Sequence, residues 1–342
     1  MITPRERMLA TFDYAHPDKI PVVYHGSPAG LHVHGQKLLD LLQQYPPDNP
    51  IAFDAIPHPP PDAVDELGRY HEFRTDGWGT TWEWRIFGLY GHPKAYPIAD
   101  MQAAQRYEFP PLPAIGSPAF EAEQAQVERE RREYLVTRGG LSLFERLCAL
   151  YPMDRALMDL ASGDRDMLAF LDRLVEYWLQ QAAYYLALGV DGIWFADDWG
   201  TQYSQLVSPA LFRRVFTPRY RALMEPIQRA GVKVFFHTCG YLGPILDELL
   251  DLEISLVWPQ LSAYDDEALA RKLYERRVTT YIHPDRQRLI PLGAPAEIEA
   301  AIRRYADRYH RMGGGGIFYV EIENDAPFEN VQALIESVAR YR

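Results

Sequence analysis

Short apolar runs that alternate with helical stretches dominate the chain from residue 133 onward. Each run is four or five residues long, and the segment between two runs is long enough for a helix. This alternation indicates parallel βα units, with helices covering the sheet. The runs are YLVT at 134–137, GIWFA at 192–196, VKVFF at 232–236, ISLVW at 254–258, VTTYI at 278–282 and GIFYV at 316–320.

The stretch 166–188 is the clearest helix between these runs. Its apolar residues, among them Leu171, Val175 and Trp178, recur at spacings of three and four. Gly189 follows at the position where a glycine commonly ends a helix. The pattern therefore predicts a long amphipathic helix with one face on the sheet.

Two further apolar segments bring the number of candidate strands to eight. IPVVY at 20–24 resembles a buried strand, and a weaker run lies at 50–53. We therefore predict a single α/β domain over 1–342, a (β/α)8 TIM barrel with long N-terminal loop insertions. A doubly wound open sheet is the alternative. No G-x-G-x-x-G follows the first strand, so its dinucleotide-binding version has little support.

The region from about 45 to 120 interrupts this regular pattern. It is rich in proline and aromatic residues, as in DGWGTTWEWR at 76–85. We predict long loops with a small hairpin over one end of the fold, where lids and substrate-binding segments are often found. Trp78 and Trp82 either line the mouth and stack on a flat ligand or form a satellite hydrophobic cluster.

The charge balance and the cysteine count limit the function classes. A net charge of −12 lacks the basic surface of a nucleic-acid-binding protein. Two cysteines do not suggest a disulfide framework. MITPRERMLATF has no apolar signal core, and no apolar run reaches about 18 residues. We expect a cytoplasmic protein that acts on a small molecule, with no membrane or nucleic-acid partner.

Nearly every apolar run is followed by a polar or ionisable side chain. Barrel enzymes build their active sites at the C-terminal ends of the strands, so these side chains are expected to converge. We interpret His25 as a candidate catalytic residue, and Arg138, Gln202 and Gln260 as candidate substrate-binding residues. The side chains that follow the runs are His25, Asp54, Arg138, Asp197, Asp198, His237, Cys239, Gln260, His283 and Glu321.

His237 and Cys239 form the most specific of these features. Residues two apart in an extended segment face the same side, and zinc takes nitrogen and sulfur ligands. A third ligand would come from another strand end, either His283 or Glu321. In the alternative interpretation, His237 hydrogen-bonds a neighbour and Cys239 packs as a small apolar side chain.

Asp197 and Asp198 offer a carboxylate pair at one strand end. Because adjacent strand residues point in opposite directions, only one of them should face the site. That residue would act as a general acid or base. The alternative roles are an ion pair with an arginine or the cap of the next helix.

The chain resembles the uroporphyrinogen decarboxylase superfamily, which also contains zinc-dependent cobamide methyltransferases. That superfamily has a (β/α)8 barrel fold, and the resemblance spans nearly the whole length. It rests on TPRERMLATFDYAHPDKIPV at 3–22, DGWGTTWEWRIFG at 76–88, DGIWFADDWGTQYSQLVSPALFRRVFTPRYRAL at 191–223, FFHTCGYLGPILDELLDL at 235–252 and APFENVQALIESV at 326–338.

Two departures separate the chain from known branches of that superfamily. The segment at 25–35, HGSPAGLHVHG, lacks the arginines with which true decarboxylases hold the carboxylates of their tetrapyrrole. The resemblance to the methyltransferases implies that His237 and Cys239 bind zinc. Their third, cysteine ligand has no counterpart here, and Glu321 or Glu323 lies near its place.

Three functions remain as hypotheses. The first is methyl transfer between a small methylated substrate or thiol and a corrinoid supplied by a partner protein, assisted by zinc on His237 and Cys239. The second is a metal-free decarboxylase that stabilises a protonated intermediate with Asp54, Asp197 or Asp198. The third is a non-catalytic barrel that binds a ligand.

Overall fold

The computed structural model describes residues 2–342. The strands are β1 (Val22–Tyr24), β2 (Glu72–Thr75), β3 (Thr81–Trp84), β4 (His92–Ala95), β5 (Thr137–Leu141), β6 (Gly192–Ala196), β7 (Lys233–Thr238), β8 (Leu256–Pro259), β9 (Thr279–Ile282) and β10 (Gly316–Val320). The helices are α1 (Pro4–Phe12), α2 (Pro28–His34), α3 (Gln36–Gln44), α4 (Met101–Ala104), α5 (Pro118–Glu130), α6 (Phe144–Leu150), α7 (Met153–Ser162), α8 (Arg165–Leu188), α9 (Pro209–Leu211), α10 (Thr217–Arg229), α11 (Leu246–Leu250), α12 (Asp266–Arg276), α13 (Leu289–Leu292), α14 (Pro295–Met312) and α15 (Phe328–Tyr341). Short 3-10 helices lie at Pro61–Ala63 and Leu261–Ala263, and a π-helical turn lies at Phe212–Phe216.

A parallel sheet of seven strands forms the centre of the molecule. Its order is β1-β10-β9-β8-β7-β6-β5, and every neighbouring pair is parallel. The sheet curls with helices around it, which confirms the predicted TIM-barrel-like α/β fold. All the C-terminal strand ends therefore meet at one mouth.

The prediction of an eighth strand at 50–53 was wrong. Residues 51–54 have no regular structure, and the Phe53 carbonyl accepts a hydrogen bond from the Gln43 side chain at 2.7 Å instead of from a neighbouring strand. Pro46, Pro47 and Pro50 precede the segment, and proline has no N–H for a strand ladder. Phe53 contributes its buried ring to the core all the same.

The run at 134–137 also starts its strand later than predicted. The Val136 N–H donates to the Asp191 carboxylate at 3.0 Å, and regular pairing with β6 begins at Thr137. A side chain therefore takes the place of a ladder partner. The predicted helix at 166–188 is confirmed as α8, which Asp164 caps through the Met167 N–H and Gly189 ends at φ +80°.

The proline- and aromatic-rich region contains a second, antiparallel sheet. Its order is β2-β3-β4, one strand more than the predicted hairpin. The loop between β3 and β4 lies directly against the start of α2. A Cβ added at Gly88 would be only 2.4 Å from the Ala29 backbone nitrogen, so the two backbones are in close contact. Since α2 follows the C-terminal end of β1, this contact fixes the small sheet beside the barrel mouth.

The helices that cover the barrel bury apolar faces against it. Within residues 2–342, no helix combines the length and the apolar character needed to cross a bilayer.

Candidate metal centre at the barrel mouth

Two strand-end loops, one after β6 and one after β7, lie in direct backbone contact. The Gly200 N–H donates to the Cys239 carbonyl at 3.1 Å. Gly240 has φ +79°, and a Cβ there would lie 2.2 Å from the Gly200 carbonyl carbon. Only glycine combines this backbone conformation with so close an approach. The contact therefore fixes Cys239 relative to the end of β6.

Asp198, His237 and Cys239 bring three potential metal-ligand atoms together. His237 Nε2 lies 3.5 Å from Cys239 Sγ and 3.4 Å from Asp198 Oδ1. One ligand atom from each residue lies within 4.8 Å of the others. Tetrahedral zinc with the usual bond lengths separates its ligand atoms by about 3.4–3.6 Å. The donor set and its spacing thus fit zinc.

Burial favours the neutral forms of Cys239 and His237. Burial, followed by the negative charge of Asp198, raises the pKa of the Cys239 thiol to about 12. Burial also lowers the pKa of His237. The thiol alone is therefore a weak nucleophile at neutral pH, because the thiolate is the reactive form.

Asp197 points away from the mouth. It has no exposed surface, and its two carboxylate oxygens accept hydrogen bonds from the Leu143 N–H at 2.8 Å, the Glu145 N–H at 2.7 Å and the Tyr220 hydroxyl at 2.5 Å. Burial raises the pKa of Asp197 to about 7, although these three donors lower it. The alternation along the strand end thus puts Asp198 in the mouth and Asp197 in the core.

His25, His283 and Glu321 form a second polar cluster beside the triad. Glu321 lies 3.3 Å from His25 Nδ1 and 4.0 Å from His283 Nε2. Burial, followed by the positive charge of Arg286, lowers the pKa of His283 to about 3. Within residues 2–342, the group that meets the metal-ligand spacing contains Asp198 and neither His283 nor Glu321. The two predicted third ligands therefore neighbour the triad without joining it.

Two of the predicted substrate-binding residues meet at the mouth. Gln260 Nε2 donates to the Gln202 side-chain oxygen at 2.9 Å, and Gln260 Oε1 accepts from the Gly240 N–H at 3.1 Å. Arg138 lies within β5 and pairs with Glu123 on α5 at 2.8 Å, on the helix-covered side of the sheet. Gln202 and Gln260 thus lie together at the mouth, and Arg138 does not.

Trp78 and Trp82 of the inserted segment both contact other protein side chains. Trp78 packs on Tyr177 and Trp178 of α8, with ring centroids 5.1 and 5.5 Å apart. Trp82 donates its indole N–H to Asp76 at 2.9 Å. Trp78 therefore matches the satellite-cluster interpretation. Asp54 is exposed on the irregular segment after Phe53.

Glu145, Tyr90 and Arg286 were not among the predicted residues. Burial and the charges of Asp198 and Asp197 raise the pKa of Glu145, at the start of α6, to about 7; its side chain is exposed within the concave mouth. Partial desolvation inside the concave mouth, followed by the charge of Glu321, raises the pKa of Tyr90, an exposed side chain on the loop between β3 and β4. Arg286 follows β9 by four residues and so lies beyond the side chains that directly follow the apolar runs. Tyr90 had no sequence signal because an insertion brings it to the barrel.

Comparisons with known proteins agree with this architecture. A methyltransferase from Methanosarcina mazei has a similar structure, with a TM-score of 0.63 and 17% identity over 100% of this chain and 99% of that chain. A likeness at this identity shows a shared fold. No curated protein sequence matches the chain.

Two other solved structures resemble parts of the fold more weakly. A B12-independent methionine synthase from Shewanella sp. W3-18-1 has a TM-score of 0.36 and 9% identity, over 81% of this chain and 74% of that chain. A dihydropteroate synthase from Xanthomonas albilineans has a TM-score of 0.35 and 11% identity, over 57% and 65%.

A family model settles the relationship at the sequence level. The model described as uroporphyrinogen decarboxylase (URO-D) matches residues 143–341, more than half of the chain and the part that carries β6 to β10. The chain belongs to the uroporphyrinogen decarboxylase (URO-D) family.

Proposed function

We propose that this protein is a metal-dependent methyltransferase. It would hold zinc on Asp198, His237 and Cys239 and transfer a methyl group between a small methylated substrate or thiol and a corrinoid carried by a partner protein. The observation that carries the proposal is the spacing of the three ligand atoms, 3.5 Å and 3.4 Å from His237 Nε2, at the open end of the barrel. The shared fold with a methyltransferase agrees with it.

Asp198 takes the place of the third ligand in this proposal. Zinc sites with three protein ligands and one open position are the catalytic kind. When bound there, zinc would stabilise the deprotonated form of Cys239 or of a substrate thiol at neutral pH. Without the metal, the buried Cys239 would stay a thiol. The oxygen, nitrogen and sulfur donor set is harder than one with two cysteines.

The remaining mouth residues bind and orient the substrate. Gln202 and Gln260 present amide groups at the rim, and His25 lies next to Glu321 at the opposite side of the cluster. His25 Nδ1 lies 3.1 Å from the Ser27 nitrogen and 3.3 Å from a carboxylate oxygen of Glu321, so these two residues fix the orientation of the ring. His25 would thereby be held in place to exchange a proton with a bound group.

Methyl transfer can be tested with free methylcobalamin as the methyl donor. Zinc-loaded protein is mixed with methylcobalamin and a small thiol, and loss of the cobalt–methyl absorption band is followed. We expect thiol-dependent demethylation in the natural chain and its loss in Asp198→Asn and Cys239→Ser. Carbon dioxide release from acidic substrates by metal-free protein, together with no demethylation in the zinc-loaded form, would support the decarboxylase instead.

A further inference from the structure

The loop after β7, which carries Cys239, is anchored to the loop after β6. The Cys239 N–H donates to Asp198 Oδ1 at 2.7 Å, and the Cys239 carbonyl accepts from the Gly200 N–H at 3.1 Å. Both backbone groups of Cys239 therefore have partners. Because both partners come from the β6 side, these contacts hold only one side of the loop.

Two side chains from the loop after β8 hold the other side. The Gly240 N–H donates to Gln260 Oε1 at 3.1 Å, and the Gly240 carbonyl accepts from the Tyr264 hydroxyl at 3.3 Å. The same hydroxyl accepts from the Leu242 N–H at 2.8 Å. Gly240 directly follows Cys239, so side chains of the β8 loop fix the residue next to the thiol through both of its backbone groups.

The end of the ladder between β7 and β8 explains why a side chain acts here. The last paired residues of the two strands are Thr238 and Pro259. Regular pairing therefore stops one residue before Cys239 and Gln260, and the Gln260 side chain reaches the neighbouring loop instead. Backbone N–H groups in folded proteins nearly always have an acceptor, and Gln260 supplies the one for Gly240.

The other end of the Gln260 amide fixes its orientation. Nε2 lies 2.9 Å from Gln202 Oε1, 3.1 Å from Gln287 Oε1 and 3.3 Å from Ser262 Oγ. The amide NH2 is a donor and the amide oxygen an acceptor, so acceptors around Nε2 direct Oε1 towards the Gly240 N–H. One half-buried side chain thus joins the loops that follow β6, β7 and β9.

We propose that Gln260 is a positioning residue, which fixes through Gly240 where the Cys239 thiol lies. Cys239 Sγ and His237 Nε2 are 3.5 Å apart, and any shift of the loop changes that distance. Metal sites tolerate deviations of only about 0.2 Å in their bond lengths. The effect on the metal rests on the proposed function, whereas the hold on the loop does not.

Hydrogen exchange in metal-free protein measures the hold on the loop directly. The exchange rate of the Gly240 N–H is followed by NMR in the natural chain, Gln260→Met and Gln260→Glu. Methionine has no acceptor for this N–H, so we expect exchange about tenfold faster, the order that one lost hydrogen bond gives. Glutamate keeps an acceptor oxygen and should restore the slow exchange.

Gln287→Met is the matched control, because Gln287 contacts the donor end of the Gln260 amide and not Gly240. This exposed side chain can be replaced without removing the acceptor oxygen. The exchange rate of the Gly240 N–H should stay within about twofold of the natural value, since the hydrogen bond from Gly240 is kept.

Cobalt(II), a spectroscopic substitute for zinc, reports the position of the thiol. We expect Gln260→Met to bind Co²⁺ about tenfold more weakly, as substitutions behind metal ligands commonly do, and to lose intensity in the thiolate-to-cobalt absorption band. Gln260→Glu and Gln287→Met should keep the band. A side chain that only stabilised the fold would lower the free energy of unfolding in urea and leave the band unchanged. One that only bound substrate would raise KM and leave the band unchanged.

Equal exchange of the Gly240 N–H in the natural chain and in Gln260→Met would overturn the proposal, as would an unchanged Co²⁺ affinity and thiolate band in that variant. A chain that binds no metal yet shows the Gln260-dependent protection of Gly240 would contradict the proposed function and support the positioning role. A metal-binding chain in which neither readout depends on Gln260 would do the reverse.

Discussion

Asp197 and Asp198 are adjacent, yet the structure gives them separable roles that substitution can distinguish. The Leu143 N–H points at one carboxylate oxygen of Asp197, and the Glu145 N–H points at the other. Asparagine has a single oxygen, so Asp197→Asn must leave one of these N–H groups without an acceptor. An unsatisfied buried donor costs about 1–3 kcal/mol. We therefore expect Asp197→Asn to lower the free energy of unfolding by about 2 kcal/mol and to leave zinc affinity unchanged.

Asp198→Asn should give the opposite result. The Asp198 side chain is 40% exposed and accepts one hydrogen bond, from the Cys239 N–H, which an asparagine oxygen can keep. The free energy of unfolding should therefore change by less than about 0.5 kcal/mol. Zinc affinity should fall at least about tenfold, because even the partners of metal ligands cost that much when they are removed.

Both variants are compared by urea unfolding of metal-free protein and by zinc competition with a chromophoric chelator. A stable Asp197→Asn that fails to bind zinc would refute the assignment of these two carboxylates. So would an Asp198→Asn that binds zinc as tightly as the natural chain.

Three further predictions concern the loops, the lower barrel and the mouth. Gly240→Ala places a Cβ 2.2 Å from Gly200 and should abolish zinc binding; Gly231→Ala, at φ +72° with nothing within 4 Å, should cost only about 1 kcal/mol in unfolding and keep the metal. Burial raises the pKa of Asp191, but hydrogen bonds from its arginine partners outweigh this and hold it below 3.8. The ionised Asp191 stabilises the fold above about pH 4, and this contribution is lost as the pH falls through the pKa of Asp191 in the folded protein. Between pH 5 and pH 3, the free energy of unfolding from urea titrations should therefore fall less in Asp191→Asn than in the natural chain. Tyr90→Ala, at an 89% exposed side chain, should leave the free energy of unfolding unchanged while it lowers kcat/KM severalfold; an unchanged kcat/KM would remove Tyr90 from the mouth.

Local patterns were sufficient to predict the architecture. The alternation of apolar runs and helices predicted a barrel because each βα unit buries its own apolar face. The run at 50–53 has apolar residues typical of a strand, but two prolines before it, a third at its first position and the side-chain partner of Phe53 prevent a strand ladder. The prolines are visible in the sequence, whereas the hydrogen bond from the Gln43 side chain to the Phe53 carbonyl is not.

The site was only partly predictable from the chain. His237, in β7, and Cys239, directly after it, face the same side of an extended segment, so their pairing followed from their spacing. The position of Asp198 beside them depends on the register of two strands, in which Ala196 pairs with His237. Such a register is a property of the assembled sheet. Tyr90 depends on how an insertion packs on the barrel, which no periodicity encodes.

Zinc stoichiometry and coordination test the central claim most directly. Elemental analysis and zinc X-ray absorption spectroscopy are run on the natural chain and on Cys239→Ser side by side. The account predicts one zinc per chain, as a single mononuclear site holds, with one sulfur and otherwise nitrogen and oxygen ligands, and its loss in the variant. A natural chain without stoichiometric zinc, or with a zinc shell that lacks sulfur, would contradict it.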